Sequence, residues 1–195
     1  MAERYTGPIL VAGVLLTAIA GFPQAVQNAG ARTDPARAET SFAAGRAAQD
    51  AKQWSDALEA FTTAILYRED YAEALEARAK VYLSTNRDAE ALADLNALLK
   101  SNSKAGEAHG LRGLLHLKAG RTAQGNADLD AAIEAGYKSA QVYLMRGRSL
   151  ASADQHEAAI ARFSESIGLR ADDPEAYRER GRSHSALRQF KEAIE

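Results

Sequence analysis

The chain has 195 residues, a formal net charge of −2 and 46% hydrophobic residues, enough for one ordinary domain with a sizeable core. Near-neutrality excludes bulk attraction to nucleic acid or to an anionic membrane. The sequence contains no cysteine, which excludes disulfides, thiol catalysis, zinc–thiolate sites and a lipid-modified N-terminal cysteine.

The first predicted element is an uncharged run from Ile9 to Phe22, ILVAGVLLTAIAGF, preceded by Arg4. It is shorter than the ~20 residues that span a bilayer. Small residues suited to a signal peptidase follow at Ala29–Ala31, with an earlier site after Ala20. Residues 1–31 are read as a cleaved secretory signal peptide. An uncleaved anchor in the inner membrane is the rival reading, and a buried apolar helix a third. The first two place the rest of the chain outside the cytoplasm, in the periplasm or the extracellular space. Residues 32–37 read as a short linker.

From Ala38 onward small residues recur every 34 positions: Gly45, Ala79, Gly113, Gly147 and Gly181, then Ala57, Ala91, Gly125, Ala159 and Ala193. Phe61, Leu95, Leu129 and Phe163 share that spacing. A fixed period of this length is the signature of a solenoid. With Ala38 as position 1, positions 4, 7, 8 and 11 fall on one face of a first helix, and positions 20, 24 and 27 on one face of a second. Positions 8 and 20 are small because antiparallel helices approach closely only over small residues. Position 24 is large and apolar and fills the space between hairpins.

The units are therefore residues 38–71, 72–105, 106–139 and 140–173, with a partial fifth at 174–195. No proline lies between Ala36 and Asp173, as helix throughout requires. STNR (Ser84–Arg87) and KAGR (Lys118–Arg121) mark turns. DDPEA (Asp172–Ala176) predicts a helix start, with an Asp cap, Pro174 in the first turn and Glu175 near the positive helix end. Residues 190–195 make little more than one turn of the fifth unit's second helix, too short to hold alone. The sequence is read as a piece of a longer protein.

This pattern resembles the tetratricopeptide repeat over Ala38–Glu195. It departs from the family pattern at position 7, where Arg78, Arg112, Arg146 and Arg180 replace the usual Leu. Position 4 is aromatic only at Tyr143 and Tyr177, and the proline near the repeat end is missing. The resemblance implies an all-α, right-handed superhelical solenoid of antiparallel helix pairs. It also implies a non-enzymatic protein-interaction module that holds a peptide in its concave groove. Family members that clamp a C-terminal carboxylate resemble one another in Lys at position 5 and Asn at position 9 of the first repeat. Phe42 and Arg46 stand there, which argues against that mode.

Catalytic chemistry finds no footing. His109, His116 and His184 sit at core positions of first helices, His156 lies near a turn, and no histidine pair has the spacing of a helical metal site. Ser101 and Lys104 match a Ser-x-x-Lys pattern without its partner motifs. The glycines follow the packing period, not a phosphate loop, and no acid–base pair stands out. No cofactor, metal, nucleic acid or small-molecule substrate is expected. The position-7 arginines are read as packing their stems along the hairpin, with the guanidinium reaching water or a carbonyl.

The resemblance places the groove at positions 2, 5, 9, 12 and 13 of the first helices. Leu83, Leu114, Leu117 and Leu144 are expected to form its apolar centre, with Gly110 leaving room beside it. Lys80 contributes one cation, and Arg148, Arg178 and Arg182 gather toward the C-terminal end. The expected ligand is a peptide with an apolar anchor next to acidic residues. Two alternatives stay open for these residues: the acids and bases pair along the solenoid, or a further helix covers the leucines. Two stay open for the chain: the targeting arm of an enzyme whose catalytic domain lies beyond residue 195, or a membrane-anchored assembly scaffold.

Overall fold

The computed structural model describes residues 33–194; the readings made on residues 1–31 fall outside them. Nine α-helices and no strand occur among the described residues. They are α1 (Pro35–Asp50), α2 (Trp54–Tyr67), α3 (Ala72–Ser84), α4 (Asp88–Ser101), α5 (Gly106–Lys118), α6 (Thr122–Glu134), α7 (Ala140–Ala151), α8 (His156–Leu169) and α9 (Pro174–Ala186), followed by a 3₁₀ turn at Glu192–Ile194. None of these helices is long and apolar enough to cross a membrane.

Helices α1, α3, α5 and α7 each pack most closely on the helix that follows, each hairpin stacks on the next, and α9 lies against α8. The result is the all-α solenoid of helix pairs that the period predicts. Odd helices also meet one another, α1 with α3, α5 with α7 and α7 with α9. That approach puts the odd helices on the inner side of the stack.

The small-residue positions act as their spacing predicts. A Cβ added at Gly45 or Gly147 would lie 2.6 Å from the ring of Phe61 or Phe163, the position-24 residue across the hairpin. In the third unit the two backbones themselves touch. A Cβ on Gly113 would meet the Gly125 carbonyl at 3.0 Å, and one on Gly125 would meet the Gly113 carbonyl at the same distance. Phe61, Leu95, Leu129 and Phe163 are fully buried.

Each hairpin turn uses the same backbone device. Position 15 is left-handed in every unit, with φ of 57° at Lys52 and Asn86, 74° at Gly120, 57° at Asp154 and 58° at Arg188. The predicted start at Pro174 is as expected: Asp173 accepts a hydrogen bond from the Glu175 amide at 3.0 Å. The same Asp-Pro device opens α1, where Asp34 accepts from the Arg37 amide at 3.0 Å. Helix α1 thus begins at Pro35, inside the stretch assigned to a linker.

Candidate functional site

The odd helices carry three clefts. The first, of about 370 Å³, lies between α1 and α3 and is lined by Phe42, Arg46, Asp50, Glu73, Glu76 and Lys80 among others. The middle one, of about 460 Å³, lies between α5 and α7 and borrows Leu83 from α3. The third, of about 390 Å³, lies between α7 and α9, with Arg148, His156, Glu179 and Arg182 in its wall.

The middle cleft is apolar. Leu83, Leu114 and Leu117 line it as expected, joined by Leu111 and Met145, with Lys118 and Gln141 at its border. Two expectations fail here. Leu144 is 5% exposed and packs in the core with Phe163 and Ala159, so it cannot form part of an exposed apolar centre. Gly110 does not leave open room either: a Cβ there would meet the Tyr137 ring at 3.0 Å and Val142 at 3.1 Å, because the Tyr137 side chain occupies the space.

Both corrections have one cause. In the third and fourth units position 5 (Gly110, Leu144) is covered by neighbouring side chains, and position 6, one helical step of about 100° further on, faces the cleft. Ala77, Leu111, Met145 and Glu179 all stand at position 6, and all line clefts. Leu117 has two roles, since its other side covers Gly125, where a Cβ would lie 2.7 Å from its methyl group.

The charged expectations divide. Lys80 bonds to Glu76 at 2.6 Å on its own helix and to Glu107 on α5 at 2.8 Å. Burial opposes the Lys80 charge, but the bonds from Glu107 and Glu76 outweigh it and the ammonium pKa is raised. Burial likewise opposes the Glu107 charge, and Lys80 still holds its carboxyl below the ordinary range. Arg148 bonds to Glu175, and to Glu179 at 3.1 Å. Arg182 reaches the same Glu179 at 3.2 Å with its side chain 66% exposed. Arg178 is exposed and forms no ion pair among the described residues. The expected cluster of free arginines is therefore reduced, because helix stacking brings acids of the next unit to position 9 of the preceding one. Pairing along the solenoid, one of the open alternatives, accounts for Lys80 and Arg148.

Sequence reasoning missed the partners of the position-7 arginines. Arg78 donates from Nε and Nη2 to Asp94 at 2.8 and 2.7 Å and from Nη1 to Thr62 at 2.9 Å. Arg112 does the same with Asp128, at 2.7 Å twice, and with Asn96 at 2.9 Å. Each guanidinium thus ties the second helix of its own unit to that of the unit before. In the fourth unit the acid changes sides: Arg162 replaces the carboxylate at position 23, and Arg146 bonds back to Asp130 at 2.6 and 3.0 Å. The available signal was a carboxylate 16 residues after Arg78 and Arg112 and 16 residues before Arg146.

Asp128 also gathers two of the histidines. The His109 Nδ1 lies 2.9 Å from Asp128, and the His116 Nε2 lies 3.8 Å away. Burial of Asp128 works against its charge, but hydrogen bonds from Arg112 and His109 prevail and hold its carboxyl below the ordinary value. Arg121 donates to the His116 Nδ1 at 2.9 Å; burial first, then the charge of Arg121, lowers the His116 pKa. No group of three or more metal-ligating side chains forms a metal site among the described residues. What the odd-helix face offers is an apolar cleft between two charged ones, the chemistry of a surface that holds a chain segment.

A sequence model of the tetratricopeptide repeat matches residues 42–106 and 111–175. No curated protein sequence matches the chain significantly. Among solved structures, a crystal structure of MamA aligns with a TM-score of 0.69 and 18% identity, over 81% of this chain and 86% of that one. YrrB, described as a repeat protein of this type with an unusual peptide-binding site, aligns with a TM-score of 0.64 and 16% identity over 77% of each chain. A repeat protein from Parabacteroides merdae aligns with a TM-score of 0.63 and 22% identity, over 83% of this chain and 63% of its own. At these identities the neighbours speak for the fold.

Proposed function

Because the chain belongs to the tetratricopeptide repeat family, whose members are in general protein-interaction modules, we propose that it is a non-enzymatic scaffold that holds a peptide or protein segment along its odd helices. The observation that carries this reading is the middle cleft, where the partly buried side chains of Leu83, Leu111, Leu114, Leu117 and Met145 stand side by side. Contiguous apolar surface rimmed by polar groups is the chemistry of protein-interaction and ligand-binding grooves. The fold neighbour YrrB supports a peptide as the kind of occupant. The uncharged run from Ile9 to Phe22 supports action outside the cytoplasm.

The test is direct. Peptides with apolar anchors are screened by fluorescence polarisation against the wild type and Leu114→Asp, with helicity checked in parallel. Binders that lose at least about tenfold in affinity, as burying a charge in an apolar cleft entails, support the site. Binders indifferent to Leu114→Asp exclude it. For export, the intact mass of the secreted protein decides. A mature N-terminus near Arg32 or Gly21 supports cleavage, and full-length protein retained in the cytoplasm refutes it.

A further inference from the structure

We propose that the groove is electrically polar along its length, and that its partner segment carries an apolar anchor with basic side chains on one flank and acidic side chains on the other. The inference rests on the reading of the odd-helix face as a binding groove, and it adds a basic flank to the apolar anchor and acidic residues expected from the sequence.

At the α1–α3 cleft, Asp50, Glu73 and Glu76 stand against Arg46 and Lys80. Lys80 is already shared between Glu76 and Glu107, so one cation answers two carboxylates. Asp50, Glu73 and Arg46 form no ion pair among the described residues, so the lining holds three carboxylates against two cations, one of which, Lys80, also serves Glu107. This end carries an excess of negative charge facing solvent.

At the opposite end the balance reverses. Arg148 and Arg182 converge on Glu179, with Glu175 as the second partner of Arg148. Of these charges the cleft wall holds Arg148 and Arg182 against Glu179 alone, and Arg178, exposed on the same helix α9, lies outside that lining. The apolar cleft lies between the two ends. Charges on such a rim act chiefly by steering and selecting partners. A segment with like charges on both flanks meets repulsion at one end, and a segment with opposite charges meets none.

The geometry sets the length. The first and third clefts are three units apart, roughly 30 Å at about 10 Å per stacked helix pair. An extended segment of about nine residues, at ~3.3 Å each, covers that span.

The experiment uses the whole chain and four labelled peptides of about twelve residues. All share one central Leu-Val-Leu-Met anchor. Their flanks are lysine then glutamate, glutamate then lysine, glutamate on both sides, and lysine on both sides. At low salt, at least one mixed peptide is expected to bind about tenfold tighter than both uniform ones, with the advantage shrinking as salt rises. Glu73→Gln is expected to weaken the mixed peptide while leaving the all-glutamate peptide equal or tighter, whereas a merely structural defect would weaken both. Equal affinity for all four overturns the polarity and leaves the apolar groove standing. Binding by none overturns the groove and the polarity with it.

Discussion

Asp128→Asn keeps the side-chain shape and removes the charge on which the third unit converges. Asp128 is 6% exposed and accepts two hydrogen bonds from Arg112 at 2.7 Å and one from His109 at 2.9 Å. The amide would leave Arg112, whose side chain is 22% exposed, without its counter-charge. Removing one partner of a buried pair costs about 3–5 kcal/mol. Because Arg112 keeps some water and its bond to Asn96, the expected loss is about 2–3 kcal/mol. Asp130→Asn is the matched control. It breaks the same kind of fork with Arg146, whose side chain is 18% exposed, but the Asp130 side chain is 46% exposed, so water reaches the freed guanidinium from that side and the expected loss is about 1 kcal/mol. Urea unfolding followed by circular dichroism gives the totals. Amide exchange over α5 and α6 shows where the loss falls, since solenoid units open semi-independently. The two variants also separate in acid. The native carboxyl of Asp128 titrates below its unfolded value, so its contribution is present above the ordinary carboxylate pKa and is lost as pH falls through the native one. Wild type and Asp128→Asn therefore converge at low pH. Equal losses for the two variants at neutral pH would refute the argument that burial sets the value of these pairs.

Other outcomes follow from single positions. His116 titrates below its ordinary value in the folded chain; its contribution is present above the unfolded histidine pKa and is lost as pH falls from there. His116→Gln should flatten the stability profile between about pH 7 and 5, measured by urea midpoints across that range. Gly113→Ala puts a methyl 2.8 Å from Leu129 and 3.0 Å from a backbone carbonyl and should cost about 1–3 kcal/mol; Gly168→Ala meets nothing within 4 Å and should gain up to about 1 kcal/mol. Lys52→Gly relieves a left-handed lysine, and the melting temperature should rise by the equivalent of about 0.5–1 kcal/mol. Leu144→Ala empties a core site and should cost about 2–4 kcal/mol by chemical unfolding, where the sequence reading expected a binding defect.

The parts of the fold set by short-range rules were legible. Glycine and alanine at positions 8 and 20 announce a close helix approach whatever the rest of the unit contains, and Asp173 before Pro174 leaves one local conformation open. The site demanded angles that a period alone does not supply. Leu144 and Met145 are neighbours in sequence and similar in polarity, and about 100° of helical rotation decides which enters the core. Arg146 stands where Arg78 and Arg112 stand, and nothing within its own unit reveals that its acid lies behind it at Asp130. Tyr137 closes the space beside Gly110 from a loop, and a loop residue's reach is a tertiary fact.

The left-handed residue at position 15 has a consequence for how such a chain can change length. Five turns of different composition, from Gly120 to Arg188, adopt one backbone state, so every hairpin leaves its turn in the same direction. The links between hairpins are nearly as uniform, with the residue after α2, α4 and α8 at φ of −152°, −132° and −143°. After α6 the link is different, a left-handed Gly136 at 78°. Duplication or loss of the unit 72–105 in the gene would therefore join like to like and lengthen or shorten the stack with joints of the same kind. The unit 106–139 carries a joint of its own, and copying it would copy the left-handed glycine with it.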